Sequence, residues 1–421
     1  MSSGKALAAT LSVPFFRPLI TDAEVREVED TLRSGWLTTG PKVKRFEAQF
    51  ASAVGARHAV SVNSCTAALH LALEALGLKA GQAVLVPTMT FAATAAVIRY
   101  LGALPVLVDS LPESLNLDVE DAGRKLEDLR TGRLSAAIDP DTPVVGIIPV
   151  HVGGMMVDME AVKSFAERMG LWTIEDAAHA LPAAWRRDKD AAWQRCGEGT
   201  SAISCFSFYA NKTMTTGEGG MAVTNNNELA DRMRMMSLHG LSHNAWGRYS
   251  SGGSWDYQIL APGFKYNLTD IAAAIGIHQL ARVEEMRQMR ETIARTYFEA
   301  LANVEEIELP LEDENRIHSW HLFPIRLRLE RLSIDRGALM EELKEAGVGC
   351  SVHWRPLHLH PYYQETFGWK PDAFPVATRA WERSISLPIF PGMRNEEAEH
   401  VIRSLKLVCS RHALMNAKQC C

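Results

Sequence analysis

The chain has 421 residues, of which 47% are hydrophobic and 22% charged, and its formal net charge is −6. This length allows two domains, and the slightly acidic balance argues against nucleic acid or an anionic membrane surface as a partner. The longest apolar run, residues 92–108, contains Arg99, Gly102 and Pro105. It therefore predicts a helix, a turn and a buried strand rather than a transmembrane span.

The cysteines and the chain termini bear on the cellular setting. The seven cysteines are scattered without C-x-x-C spacing, which predicts reduced thiols, a cytoplasmic location and no zinc site. Residues 1–13 carry one lysine and a short run of small residues, so we expect a disordered arm rather than a signal peptide. Residues 410–421 are predicted to be a disordered tail.

From about residue 20 to residue 240, helix-like and strand-like segments alternate. Amphipathic patterns over residues 22–34 and 65–77 predict helices that end at glycines. Runs rich in valine and isoleucine predict strands, and these are HAVSV, AVLVP, LPVLVD, VVGIIPV, LWTIED and SAISCFSF. The alternation predicts an α/β fold with a mostly parallel sheet covered by helices on both faces. In such sheets ligands bind at the carboxyl ends of the strands.

The pattern changes in the C-terminal part of the chain. A long helical pattern over residues 267–301 begins with Thr269 as a plausible N-cap. Strand-like HLFPIRLRL and CSVHWRP follow, together with helical patterns over residues 335–349 and 395–408. We predict a large domain over residues 14–284 and a smaller α/β domain over residues 285–409.

A single lysine, Lys212, stands in the stretch SFYANKTMTTGEGG (residues 207–220), in a turn between two short apolar runs. A P-loop is excluded because Asn211 and Phe206 occupy its glycine positions. A dinucleotide fingerprint is excluded because the glycines of residues 217–220 precede a strand-like run rather than a helix. Taken alone, Lys212 would be an ordinary surface lysine.

Other strand ends carry polar residues that could form one site with this lysine. IEDAAHA ends a strand with Asp176, where a carboxylate is suited to a metal, a base, a ribose or a cationic ring. Only His179 is near enough in sequence to share a metal with it. VNSCTAALHLAL places Ser64 and Thr66 at a helix N-terminus, which suits a phosphate or forms a simple cap.

An aromatic residue, Phe91, follows another strand and is predicted either to lie in the core or to stack on a ring. A lysine for a Schiff base, a carboxylate for a pyridinium nitrogen, a helix N-terminus for a phosphate and an aromatic ring together fit one ligand. That ligand is pyridoxal 5′-phosphate (PLP).

These runs, in this order, resemble the DegT/DnrJ/EryC1/StrS family of sugar aminotransferases. The resemblance covers about residues 14–408 and implies the aspartate aminotransferase-like fold (PLP fold type I), with a large domain and a smaller C-terminal α/β domain. The matching motifs are SGWLTTGP, NSCTAALHLAL, PTMTFAAT, PVHVGG, IEDAAHA, SFYANKTMTTGEGG and GFKYNLTDIAAAIG. The C-terminal motifs HSWHLFPIRL, VGCSVHWRPLHLHPYY and SLPIFPGM look most like the branch that makes 4-amino-4-deoxy-L-arabinose.

The resemblance implies roles for individual residues. Lys212 forms the Schiff base and Asp176 pairs with the pyridine nitrogen. His179 contacts the ring hydroxyl oxygen, although a structural core histidine is an alternative, and Phe91 stacks on the ring. The phosphate is held by side chains around the first helix turn and the lysine motif, namely Ser64, Cys65, Thr66 and Ser207.

The segment GFKYNL implies a site shared between subunits of a homodimer. Asn267 is the candidate for completing the phosphate site of the neighbouring subunit, but relatives with N-Y-R at Lys265, Tyr266 and Asn267 leave open which side chain contacts phosphate. Lys265, His321 and His353 are candidates for substrate contact. These histidines, with His358 and His360, fall on different elements, so we predict substrate or structural roles and no metal site.

The resemblance implies transfer of an amino group from L-glutamate to a nucleotide-linked keto-sugar, in particular a 4-keto-sugar. Alternatives are an aminotransferase for a cyclitol or another non-nucleotide ketone, and a catalytically silent PLP-binding regulator. A sugar dehydratase is disfavoured because those relatives carry histidine at the position of Lys212. The bulky segment 182–201, with two tryptophans, has no assigned role.

Overall fold

The computed structural model describes residues 11–242 and 257–414. Its strands in chain order are β1 (His58–Val62), β2 (Ala83–Pro87), β3 (Leu104–Val108), β4 (Val144–Ile147), β5 (Trp172–Asp176), β6 (Ala184–Trp185), β7 (Gln194–Arg195), β8 (Ile203–Ser207), β9 (Gly220–Thr224), β10 (Ile307–Glu308), β11 (Arg316–Ile317), β12 (Phe323–Leu327) and β13 (Ser384–Leu387).

The α-helices of the same residues are α1 (Asp22–Ser34), α2 (Pro41–Val54), α3 (Cys65–Ala75), α4 (Ala92–Tyr100), α5 (Val119–Arg130), α6 (Met159–Met169), α7 (Asn227–Ser237), α8 (Asp270–Ala281), α9 (Val283–Leu301), α10 (Arg336–Glu345), α11 (Pro361–Phe367), α12 (Pro375–Arg383) and α13 (Asn395–His412). Within the described residues no helix combines the length and apolarity that crossing a membrane requires.

The central sheet has seven strands in the order β1-β9-β8-β5-β4-β2-β3 across the described residues. Strand β9 is antiparallel to both of its neighbours, and the other pairings are parallel. All five residues of β2 are buried, as expected for a strand with helices on both faces. The carboxyl ends of β1, β2, β5 and β8 therefore meet at one edge of the sheet.

The long helical pattern after Thr269 is two helices rather than one. Thr269 caps α8 as predicted, with its side chain accepting from Ala272 N. Arg282 has φ −113° and ψ 9°, which interrupts the helix between α8 and α9. The predicted strand CSVHWRP is not formed: it contributes one isolated bridge, Ser351 to Ser386, before the chain leaves the sheet.

The described residues form two buried cores, and these cores do not divide at the predicted boundary at residue 285. The second core contains the distal half of α9, β10, β12, β13, α10 and α13. However, Leu357, Phe367 and Phe374 belong to the first core, under the central sheet. Leu357 N donates to Thr88 O at 2.8 Å, and the buried His358 binds the Thr88 hydroxyl. The C-terminal segment therefore returns to the large domain, because its apolar side chains are covered there.

The described structure extends further toward both termini than the sequence predicted. Val13 is 1% exposed and pairs with Val348, so residues 11–13 are part of the structure rather than of a loose arm. Helix α13 continues to His412, and Ala413 pairs with Leu332. The rest of the predicted arm and tail, residues 1–10 and 415–421, lies outside the described residues.

Candidate active site

Lys212 and Asp176 lie at the same edge of the sheet, after β8 and at the end of β5. The turn that carries Lys212 is fixed by its own backbone, with Lys212 N donating to Tyr209 O at 2.9 Å. Burial lowers the pKa of the Lys212 amine to about 8, with the Arg290 cation adding to this effect and Asp176 opposing it. A buried amine with this pKa is a candidate nucleophile and base near neutral pH.

Asp176 is 5% exposed and held by two donors. Its Oδ2 accepts from the Thr94 hydroxyl at 2.8 Å, and its Oδ1 accepts from Ala178 N at 3.1 Å. Burial raises the pKa of the carboxyl, and these hydrogen bonds and the Lys212 charge oppose the rise. A buried carboxylate of this kind gains most from a cation placed opposite it.

The turn between β1 and α3 suits a phosphate group. Ser64 is the N-cap of α3, and its Oγ accepts from Ala67 N at 3.1 Å. The Cys65 thiol lies 3.6 Å from the Cys205 carbonyl, and burial raises its pKa well above the usual range, so it stays neutral. A Cβ on Gly220 would lie 2.5 Å from the Ser64 carbonyl carbon, so the turn rests directly on β9. Free N–H groups at such a helix start favour an anion.

The other two predicted phosphate ligands flank this turn. Thr66 is the second residue of α3 and is partly buried. Ser207 ends β8 and pairs with Gly220, the residue on which the turn rests. The Ser207 hydroxyl oxygen accepts from Tyr209 N at 3.4 Å and keeps its own hydrogen for another acceptor. The structure thus brings these side chains together beside the start of α3.

His179 is buried in a layer of three aromatic rings. Its ring lies 4.1 Å from that of His321 and stacks at 5.0 Å on Trp354. Its Nδ1 accepts from Gly153 N at 3.2 Å, so in the neutral ring the hydrogen is on Nε2. Burial lowers the His179 pKa well below the usual range, which keeps that neutral form. His179 therefore presents an N–H donor, as contact with a ring hydroxyl oxygen requires.

His321 and His353 lie near Lys212. The His321 Nε2 is 3.5 Å from the Lys212 Nζ. The His353 Nδ1 is 2.9 Å from the Ser386 hydroxyl, its ring stacks on Phe15, and burial lowers its pKa to about 4. Both imidazoles are therefore neutral at physiological pH.

Three of the predicted residues stand apart from this cluster within the single chain. Phe91 is the N-cap residue of α4, four residues after the end of β2, and is 62% exposed. Lys265 is exposed, and its carbonyl accepts from Asn63 Nδ2 at 3.4 Å. Asn267 bridges Val62, and its Nδ2 donates to the Thr39 hydroxyl at 2.8 Å within the same chain.

A buried group that resembles a metal site lies behind Asp176. Ligand atoms of His151, Glu175 and Cys196 lie within 4.8 Å of one another. His151 Nδ1 accepts from Val157 N, and its Nε2 donates to Glu175 Oε2 at 2.9 Å. The other carboxylate oxygen accepts from three hydroxyls, those of Thr200, Ser201 and Ser204. These bonds use the ligand atoms, so the group fits a hydrogen-bonded core network, and the absence of a metal site stays a prediction.

The segment 182–201 forms a small hairpin rather than a lid over the site. Strands β6 and β7 pair with each other, and β6 pairs with β11. Strand β11 directly precedes the segment 318–321, which carries His321. Arg186 lies over Trp193, and Arg316 lies over Trp185. The hairpin therefore supports the backbone that leads to the site.

The residues at this edge fit PLP. The buried Asp176 accepts from a hydroxyl and a backbone N–H, the start of α3 packs closely against Gly220, and the Lys212 amine follows β8 at the same edge of the sheet. Sequence reasoning missed Arg290, whose Nη1 donates to backbone carbonyls that include His321 O, and Trp354, which lies in the predicted strand CSVHWRP. It also missed Thr94, although the motif PTMTFAAT includes it.

The fold and this donor set define a PLP-dependent aminotransferase of fold type I. The chain belongs to the DegT/DnrJ/EryC1/StrS aminotransferase family, whose model matches residues 18–406. The predicted fold class, enzyme class and cofactor are thereby confirmed. Family members include sugar aminotransferases, so amino transfer to a sugar is the activity of this chain at the level of the family.

Three relatives illustrate the similarity. The chain is 45% identical to the uncharacterised protein MJ1066 of Methanocaldococcus jannaschii over 400 residues, covering 95% of this chain and 98% of that one. It is 42% identical over 395 residues to SpsC of Bacillus subtilis, a spore coat polysaccharide biosynthesis protein, covering 94% and 96%. The PLP form of Spr1654 from Streptococcus pneumoniae, a candidate sugar aminotransferase, is 31% identical with a TM-score of 0.83, covering 95% and 99%.

Proposed function

We propose that this enzyme moves an amino group from L-glutamate to a nucleotide-linked keto-sugar, in particular a 4-keto-sugar, with Lys212 as the reactive amine. The observation that carries the proposal is the Lys212 amine, whose pKa is lowered to about 8, at the strand edge that also holds Asp176 and the start of α3. When bound, PLP withdraws electrons and makes the Cα proton of the amino donor acidic.

Residues of the chain are proposed to transfer the proton, contact the cofactor ring and bind its phosphate. Lys212 Nζ accepts the Cα proton in its neutral form and returns it as an ammonium. The Asp176 carboxylate would stabilise a protonated ring nitrogen of the cofactor, and the His179 Nε2–H would donate to its ring hydroxyl oxygen. The start of α3 binds the phosphate through its N–H groups, with Ser64, Cys65, Thr66 and Ser207 around it.

The active form is proposed to be a homodimer with shared sites. Several large apolar side chains are exposed in the single chain, among them Trp36, Leu37, Phe91, Tyr209 and Ile259. Exposed apolar side chains of this size are typical of a subunit interface. Asn267 or the exposed Lys265 then completes the phosphate site of the neighbouring subunit, and a homodimer has two such sites.

The sugar substrate is proposed from the relatives and from the histidines. SpsC takes part in the biosynthesis of a polysaccharide, and such pathways use activated sugars. His321, His353 and Lys265 are the proposed substrate contacts, because neutral imidazoles bind sugar hydroxyls and a lysine binds a diphosphate. A non-nucleotide ketone such as a cyclitol would not need the lysine.

A panel of nucleotide-linked 4-keto- and 3-keto-sugars, with free keto-sugars and a keto-cyclitol, tests the proposal. Release of 2-oxoglutarate from L-glutamate and the product mass are measured, with L-glutamine and L-alanine as competing donors. Turnover only with nucleotide-linked 4-keto-sugars is the expected result. Preference for the cyclitol or the free sugars overturns the substrate class, and failure of every donor to change the absorption of the bound cofactor indicates a silent regulator.

A further inference from the structure

Arg290, on α9, is a buried arginine that the proposed chemistry does not use. It is 2% exposed and has no carboxylate partner among the described residues. Its Nη1 donates to three backbone carbonyls, those of Trp320 (3.1 Å), His321 (3.3 Å) and Ile389 (2.7 Å), while its Nε has no partner within the described part of the chain. Burying a guanidinium without a counter-ion is costly, so a purely structural role for this charge is unfavourable.

Two of the three carbonyls that Arg290 holds, those of Trp320 and His321, belong to a strained turn. Trp320 has φ +49°, a left-handed conformation that L residues with large side chains rarely adopt. Such conformations persist only where the surroundings fix them, and they occur most often at functional sites. Because Arg290 holds the carbonyls of the two peptides that flank the His321 Cα, it fixes the direction in which the His321 ring leaves the backbone.

That direction carries the His321 ring to Lys212. The His321 Nε2 is 3.5 Å from the Lys212 Nζ, and the His321 Nδ1 is buried and finds no partner in residues 11–242 and 257–414. A buried nitrogen without a partner is better tolerated with a lone pair than with a hydrogen. The hydrogen of the neutral ring is then on Nε2 and faces the lone pair of a neutral amine.

We propose that Arg290 is a positioning residue of the active site, which fixes the Trp320–His321 backbone so that the imidazole stays against Lys212. The proposal rests on the proposed role of Lys212 and not on the identity of the sugar. The Arg290 charge also lowers the pKa of Lys212 and of His321, after burial as the main cause. Asp176 acts on Lys212 in the opposite direction, and the other groups nearby are Cys65 and the neutral His179 and His353.

The test measures the Lys212 amine directly, in full-length protein from which the cofactor has been removed. Trace acetylation over a pH series is followed by mass spectrometry of the peptide with Lys212, and Lys163, whose side chain is 61% exposed, is the internal standard. In Arg290→Met the labelling of Lys212 near pH 7 should fall about three- to tenfold, because the neutral fraction below the pKa follows the acid dissociation constant. Arg287→Met is the matched control: it removes the same charge from the same helix, but Arg287 pairs with Glu284 and Glu291.

Two further variants separate the charge from the backbone contacts. Arg290→Gln retains N–H donors without the charge, so it carries the same labelling expectation if the methionine variant does not fold. Arg290→Lys retains the charge but not the three carbonyl contacts, so labelling should stay near wild type while kcat falls about ten- to a hundredfold through a displaced His321. Wild-type labelling in a folded uncharged variant overturns the electrostatic part, and wild-type kcat in Arg290→Lys overturns the positioning part. Labelling needs neither cofactor nor sugar. A negative result in the substrate panel therefore does not affect the labelling result.

Discussion

Asp176→Asn removes one charge from the site while leaving its hydrogen bonds satisfiable. In the wild type the Asp176 carboxylate accepts from Ala178 N and from the Thr94 hydroxyl. An asparagine in the same rotamer still accepts from Ala178 N through its Oδ1, and its NH₂ donates to the Thr94 Oγ1. The Thr94 hydroxyl then donates to the Phe91 carbonyl, 3.3 Å away. Because no buried donor loses its partner, we expect the free energy of unfolding to change by no more than about 1 kcal/mol.

The lost charge acts on the reaction instead. A carboxylate about 4 Å from a cation, at an effective dielectric constant of about 20, contributes about 4 kcal/mol. Since about 1.4 kcal/mol corresponds to a tenfold change in rate, Asp176→Asn should slow the half-reaction with L-glutamate about a thousandfold. The phosphate contacts at α3 are untouched, so cofactor content should stay near that of the wild type. The pKa of Lys212 should fall below about 8, because Asp176 no longer raises it.

The assay is stopped-flow absorbance of the half-reaction in single turnover, with cofactor content and thermal unfolding measured on the same preparation. Asp158→Asn is the matched control, because Asp158 caps α6 through its side chain and asparagine is also a good N-cap. An Asp176→Asn enzyme that is loaded with cofactor and reacts within about tenfold of wild type would refute the electrostatic role. Loss of the fold would refute the hydrogen-bond reasoning.

Four other predictions concern Lys212, Asn267 and Glu175. Lys212→Ala should abolish turnover with little change in Tm, and near-normal transamination by the purified variant would contradict its role. Mixed with Asn267→Ala under verified subunit exchange, it should recover about a quarter of wild-type activity, since half of the dimers are hybrids with one intact site; no recovery would mean that Asn267 does not act across the interface. Below its pKa of about 8 the Lys212 amine is protonated. Its trace acetylation in cofactor-free protein should therefore rise about tenfold per pH unit and level off above pH 8. A titration midpoint near the ordinary pKa of 10.5 would contradict the effect of burial. Glu175→Gln should lower the free energy of unfolding by about 2–4 kcal/mol in urea titrations, since its NH₂ would face donors, and unchanged stability would show that the network is dispensable.

The local parts of the fold and the site were predictable from the sequence. HAVSV, AVLVP and the helix over residues 22–34 coincide with β1, β2 and α1, because each has a periodic apolar pattern and clear end signals. Lys212 and Asp176 follow strands in short motifs, so the parallel sheet brings them to one edge.

Contacts made through the backbone or between distant segments were not predictable. Arg290 reads as one more charged residue of a long helix, and its burial depends on carbonyls about 30 and 99 positions away. CSVHWRP alternates like a strand, but only Ser351 finds a partner in the sheet. Periodicity reports which face is apolar, and it does not report which other segment covers that face.

The return of residues 357–380 to the first core limits how the chain can be recombined. Lys125 Nζ donates to Ala373 O at 3.1 Å, and Val376 N donates to Asp109 Oδ2 at 3.0 Å, so the N-terminal half depends on partners near the end of the chain. In a chimera with a relative, crossed over once near residue 285, the two sides of each of these contacts would come from different parents. The contacts could then be lost even if every motif remained intact. Exchanges intended to alter sugar selection should therefore keep residues 354–381 with residues 14–284, and replace the intervening and following segments separately.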